Sequence, residues 1–322
     1  MDAAPIRIVP RLVERIWGRT DLGAWTSGVS PGAGPYGEAW LTDVACAVEG
    51  GGVFGELIDA DRGATLGDAA GLPPILAKLL FTAAPLSVQV HPTDAAARSS
   101  GVAPTGKDEA WLVLEAAPDA AVWVGFAAQT TPAQLRAAVA DGSVLSLLRR
   151  VAVQAGDTVQ VPAGTVHAIG PGLVLLEIQD PVQVTYRLYD YGRPRPLQLE
   201  AALAVANLNA ASGAEKQAEP PDGSPGGRLL ARAPRFIAEQ HGVGQGLTLR
   251  PDSTRAHILV PLSPGVSLNQ RELRRGVAAF VPACGGPAAL SGAGLASVAV
   301  LHAGPGLTSC LSTPGSARVQ PP

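Results

Sequence analysis

Apolar positions along this chain fall mostly in short runs of period two, broken by glycine and proline. Successive side chains of a strand point to opposite faces, so this period marks strands. In GKDEAWLVLEA, Glu109, Trp111 and Val113 alternate with Ala110, Leu112 and Leu114. Both faces are mainly apolar, which predicts a buried strand carrying one carboxylate near its start. Residues 151–179 predict more strands, with turns at 155–157 and 162–164, and place Leu173, Leu175 and Glu177 on one face. VTYRLYDYG, and the pieces EAWLTDV and GGVF between residues 6 and 56, read as strands too.

Helical patterns are fewer. A brief helix is predicted over residues 68–80, followed by a loop at 81–84. A second, over residues 130–150, has a threonine to cap it, Pro132 in its first turn, and Leu135 and Val139 at helical spacing. A third covers residues 197–210. The stretch ASGAEKQAEPPDGSPGG, residues 211–227, has the composition of a linker. It divides the chain into residues 1–210, carrying the candidate chemistry, and a smaller β domain, 228–322.

Across that division the chain repeats itself weakly. Gly156, Val161, Pro162 and Ala163 have counterparts 120 residues later in Gly276, Val281, Pro282 and Ala283, inside similar hairpins. At the same offset His167 falls on Pro287, so the second β domain is expected to carry no metal.

Charge and composition narrow the function. The 322 residues have a formal net charge of −3, from 24 basic and 27 acidic residues, with no long basic run. Nothing recommends nucleic acid as a partner. An anionic small substrate has to be held by a few local cations, because the global field is mildly repulsive. Three well-separated cysteines, Cys46, Cys284 and Cys310, make neither a disulfide framework nor a thiolate metal site. With no signal-like apolar core at the start and no clean membrane span, a reducing, cytoplasmic setting is expected.

The candidate chemistry centres on LSVQVHPTD, residues 86–94. Gln89 and His91 are two apart, so in a strand they share a face. An amide oxygen and an imidazole aimed together suit a divalent metal. Glu109 and His167, each on or beside a strand, complete two nitrogens and two oxygens, a mix that suits zinc or a similar ion with one position left open. His241, His257 and His302 stand in no comparable context and read as structural.

PLSVQVHP, GKDEAW, VPAGTVHAIGPGLVLLEIQ and TYRLYDYGRPR, with WG at 17–18 and GEAW at 37–40, resemble the shorter bacterial form of type I mannose-6-phosphate isomerase. The likeness runs to about residue 210 and is loose beyond it. It implies a mainly β, cupin-type fold of jelly-roll barrels with a few helical insertions. It also implies one zinc ion per chain and interconversion of mannose 6-phosphate and fructose 6-phosphate. The family's zinc ligands fall on Gln89, His91, Glu109 and His167, and its other site residues on Lys107, Glu177 and Arg187. Ser87 precedes Gln89 on the same face and is a phosphate contact candidate. The expected partner is a small sugar phosphate, and a monomer or weak homodimer is expected.

Moving a proton between C2 and C1 of a sugar requires a base and a cation at the oxygens. Glu177, facing an apolar barrel, is the expected proton carrier with a raised pKa, and Lys107 and Arg187 are the cations. The chain departs from the family at Gln183, where an aspartate is usual. A sugar-phosphate-binding cupin without turnover, or a metal cupin enzyme acting on another substrate, are the alternatives.

Overall fold

A computed structural model of the chain describes residues 4–26, 32–211, 227–304 and 310–313. Most of the expected linker, residues 212–226, lies outside the described residues. The period-two segments build two pairs of antiparallel sheets. Eight strands run in chain order from Leu76–Thr82 to Leu173–Gln179. The first, eighth, third and sixth are neighbours in one sheet, and the second, seventh, fourth and fifth in the other, which is the jelly-roll order. The eight strands from Phe236–Gly242 to Ser297–Ala303 repeat that order. Thr158–Val161 and Ala278–Val281, the strands of the sequence repeat, are the sixth of each set.

Inward faces of the first pair bury Trp111, Val113, Val122, Val124, Leu173 and Leu175, and those of the second bury Leu247, Leu259, Val281, Val298 and Val300. A third cluster joins outward faces of the two, with Leu79, Phe81 and Leu176 in one body with Phe236, Ile258, Phe280 and Leu301. The segment Ile6–Ile8 pairs with the Ala278–Val281 strand, so the amino terminus is stitched into the second sandwich.

Two local expectations are corrected. Residues 76–80 are not helical: Leu76–Thr82 is a strand in which every residue is buried, and Phe81 belongs to it rather than to a loop. An apolar run buried on both faces has no alternation to separate it from a buried helix. The short helices come earlier, at Phe54–Ala60 and Arg62–Leu66. The helix expected over 130–150 is confined to Pro132–Asp141, opened by a capping box of Thr131 and Gln134 and ended by Gly142 at φ 82. Leu148–Ala152 is a strand. No helix among the described residues is long and apolar enough to cross a membrane.

Candidate active site

Polar residues enter the first barrel at one end. On the inward face of Leu173–Gln179, Leu173 and Leu175 give way to Glu177 and Gln179. Glu177 pairs with Lys78 on one side and Trp111 on the other, and Gln179 pairs with Glu109. In the opposite sheet Gln89 of Val88–Val90 stands level with His167 on one neighbouring strand and Arg187 on the other. Register alone therefore gathers Gln89, His167 and Arg187 into one row, because directly paired residues share a face.

His91, Glu109 and His167 are brought together with their donor atoms all within 4.8 Å of one another. His91 Nε2 is 3.1 Å from Glu109 Oε2, and His167 Nε2 is 3.3 Å from Glu109 Oε1. Each imidazole is oriented by its other nitrogen: His91 Nδ1 donates to the Val184 carbonyl at 2.8 Å and His167 Nδ1 to the Thr165 carbonyl at 2.9 Å. That leaves both Nε2 lone pairs aimed at the carboxylate, the arrangement of metal-binding histidines. Glu109 Oε1 is buried with no hydrogen-bond partner, an acceptor waiting for a cation.

Burial pushes the His91 imidazole down to about 4, with Lys107 acting in the same direction and Glu109 against it; burial lowers His167 as well. Burial disfavours the Glu109 charge, yet Lys107, His91 and His167 outweigh it and hold the carboxyl well below its usual range. Neutral imidazoles and an ionised carboxylate are the states a divalent ion requires. The ammonium of Lys107 donates to Glu109 Oε2 at 2.6 Å and lies 3.2 Å from His91 Nε2, so a positive charge already rests against the trio. Burial opposes that charge, but Glu109, Glu177 and Glu38 raise the Lys107 pKa above the ordinary lysine value. The donor set fits zinc.

Gln89 is adjacent, but it presents its amide nitrogen to His167 Nε2 at 3.2 Å while its oxygen accepts from Ser87 Oγ, also at 3.2 Å. To act as a ligand it must turn the amide over. Glu177 does not face an apolar wall as expected: Lys78 Nζ is 3.3 Å away and also donates to Gln179 Oε1 at 2.6 Å. Lys78 was missed in the sequence, although a lysine inside LAKLLFT was the available signal. Glu38, bound by Arg15 at 3.0 and 3.1 Å, extends the same network. Arg187 donates to the Pro196 carbonyl at 2.9 Å rather than to Gln183, which is exposed.

A residue of the second sandwich braces this site. Arg235 donates to both oxygens of Asp180 (2.9 and 2.5 Å) and to Asp94 (2.9 Å), and lies 3.6 Å from Asp108. Asp108 sits between Lys107 and Glu109, and Asp180 follows Gln179, so one guanidinium anchors both segments that deliver the charged groups.

The chain is 36% identical over 225 residues to the mannose-6-phosphate isomerase ManA of Bacillus subtilis (strain 168), covering 65% of this chain and 70% of that protein. It is 33% identical over 223 residues to the mannose-6-phosphate isomerase of Streptococcus mutans serotype c, covering 65% and 68%. No protein-family model matches the chain. Among solved structures it superposes on a mannose 6-phosphate isomerase from Bacillus subtilis with a TM-score of 0.81 at 24% identity, over 93% of this chain and 100% of the other. It also superposes on a mannose 6-phosphate isomerase bound with zinc and yttrium, with a TM-score of 0.74 at 18% identity, over 94% and 100%. The fold is that of these structures, and the sequence likeness carries the assignment further: the chain belongs to the mannose-6-phosphate isomerase family and is an isomerase.

Proposed function

We propose that the polar end of the first barrel interconverts mannose 6-phosphate and fructose 6-phosphate by proton transfer between C2 and C1 through an enediol. The observation that carries this reading is the buried trio of His91, Glu109 and His167 with two lysines and a second carboxylate beside it. His91, Glu109 and His167, with Gln89 once its amide is turned, hold one zinc ion in this barrel. When bound, the ion polarises the sugar oxygens and stabilises negative charge on them. A family relative in fold has been solved with zinc, which supports the choice of metal.

Glu177 takes the proton from one carbon and returns it to the next, and Lys78 at 3.3 Å orients its carboxylate. Lys107 donates to the sugar oxygen on which charge develops. Arg187, level with Gln89 at the same sheet, receives the phosphate together with Ser87. Because Gln183 is exposed and does not hold Arg187, its difference from the usual aspartate gives little support to a binding-only protein.

Turnover of mannose 6-phosphate in deuterium oxide tests this reading. Deuterium in the sugar isolated after turnover is expected from proton exchange with solvent at the enediol stage. Turnover that continues undiminished in Glu177→Gln contradicts the proton-transfer route, since Glu177 can also return the abstracted proton before it exchanges, and no turnover of the wild type contradicts the assignment.

A further inference from the structure

A second polar cluster, Glu239 with His241, His257 and His302, is buried inside the second barrel. Among the described residues, however, only His91, Glu109 and His167 bring three ligand atoms within 4.8 Å of one another, so the second-barrel cluster is too open to close on one tetrahedral ion. A different feature lies inside the first barrel, where Arg149 and Trp111 hold donors with nothing to accept from them. Arg149 Nε and Nη2 and Trp111 Nε1 are all buried without a hydrogen-bond partner. Orphaned buried donors require an explanation.

Strand register places Arg149 in the same row as His167. The Leu148–Ala152 strand pairs with Ala121–Phe126, and between Trp123 and Phe126 the register slips, so Val124 and Gly125 together face Arg149. Gly125, at φ 67, has the left-handed backbone found at glycine bulges. Phe126 and Leu148 pack on the helix-covered side of the sheet, while Val122, Val124 and Val151 face the barrel. Arg149 alternates with Leu148 and so faces the barrel too. The row across the sheet then reads Arg187, Gln89, His167, Val124, Arg149. With neighbouring strands about 4.8 Å apart, the backbones of the two arginines stand roughly 10 Å to either side of His167.

Trp111 comes from the opposite sheet. Its ring meets that of His167 edge-on, with centroids 5.7 Å apart, and it is 1% exposed. Its strand, Glu109–Ala116, leads directly into Ala121–Phe126, which carries Val124. Lys107, Lys78 and Arg187 are engaged already, by Glu109 at 2.6 Å, by Glu177 at 3.3 Å and by the Pro196 carbonyl at 2.9 Å. A guanidinium and an indole N–H donate and cannot accept. Their missing partner is therefore not a cation but an acceptor with several oxygens, and a negative charge on it offsets the cost of a buried guanidinium. From this register and these donors we infer that Arg149 and Trp111 form a phosphate-group subsite on the other side of His167 from Arg187.

The planar fork of an arginine matches phosphate oxygens two at a time. A net charge of −3 leaves anion capture to local cations of this kind. Two sources supply the same group. With the substrate phosphate held by Arg187, the subsite takes free phosphate; with the substrate turned about, it takes the substrate's own. Telling these sources apart rests on the proposed isomerase reaction, whereas the existence of the subsite does not.

Melting of the zinc-loaded protein at increasing concentrations of inorganic phosphate tests the subsite. The wild type is expected to gain melting temperature, since a ligand that binds only the folded state stabilises it. Arg149→Met strands no partner, so it is expected to fold, and to weaken the apparent phosphate affinity at least about tenfold. Arg149→Lys, which keeps the charge but not the fork, is expected to fall between the two. Trp111→Phe keeps a ring, loses the N–H, and is expected to weaken affinity as well. Arg187→Met is expected to retain a phosphate response that disappears when Arg149→Met is added. No response in the wild type, or a response untouched by Arg149→Met, overturns the subsite and leaves its donors to water. In phosphate-free buffer, a KM for mannose 6-phosphate raised at least about tenfold by Arg149→Met identifies the substrate's own phosphate, and an unchanged KM identifies free phosphate. A wild type that responds to phosphate without turning over mannose 6-phosphate contradicts the isomerase reading and upholds the subsite.

Discussion

Lys78 and Glu177 face each other directly across adjacent strands, with ammonium and carboxylate 3.3 Å apart and both side chains buried. Their mutual attraction offsets the cost of taking two charges out of water, and removing one leaves the other stranded. Lys78→Met is expected to cost about 3–5 kcal/mol of stability. Lys78→Met with Glu177→Leu is expected to recover most of that loss while turnover stays absent. Denaturant unfolding of the two variants checks this, and a Lys78→Met protein as stable as the wild type contradicts it.

Variants at Glu177 and Gln183 test which of the two positions carries the proton. Glu177→Gln is expected to lower kcat at least about a hundredfold, the size of a lost acid-base group. Gln183→Asp is expected to change it less than about tenfold, since Gln183 is exposed and Arg187 is bound to the Pro196 carbonyl. The reverse pattern in steady-state kinetics would place the base at position 183.

Arg235 is expected to matter beyond its own sandwich. Arg235→Ala leaves the buried carboxylate of Asp180 without its bidentate partner, a loss of about 3 kcal/mol or more. The segments carrying Lys107 and Glu109 loosen with it, so zinc affinity is expected to fall about 10- to 100-fold. Arg235→Lys restores the charge but not the fork, and recovers only part of either loss. Unchanged zinc affinity in Arg235→Ala, measured by competition with a chelator, would show that the brace does not reach the metal centre.

Acid sensitivity has a named contributor in Glu38. Burial alone would push its carboxyl up, but Lys78, Arg15 and the Trp40 indole outweigh burial and hold it below its ordinary 4.5. A depressed folded pKa gives stability that is complete above about pH 4.5 and lost as pH falls through the folded value. Glu38→Gln is therefore expected to be less stable than the wild type at neutral pH, with the gap narrowing below pH 4.5. A gap that stays constant on acidification, in melts from pH 7 to pH 3, would exclude this role.

Parts of this site were legible in sequence because strand geometry carries them. Gln89 and His91 lie two apart, and Glu109 and His167 sit in hairpin contexts whose residues mark turns and strand starts. The Leu76–Thr82 strand was not legible, since a run buried on both faces has no period, and Lys78 was hidden with it. The Glu239, His241, His257 and His302 cluster was hidden for another reason. Its members come from three strands with no shared local pattern, and only the register of those strands places them together. Arg235 was invisible likewise, because its partners lie in the other sandwich.

Bound zinc and mannose 6-phosphate turnover, measured in the same samples of the wild type and of His167→Ala, test the central claim most directly. The account predicts that His167→Ala loses the first-barrel zinc and its turnover together, and that chelator removes turnover from the wild type until zinc is returned. A His167→Ala protein that isomerises mannose 6-phosphate at the wild-type rate, or a wild type fully active after its zinc is gone, would contradict it.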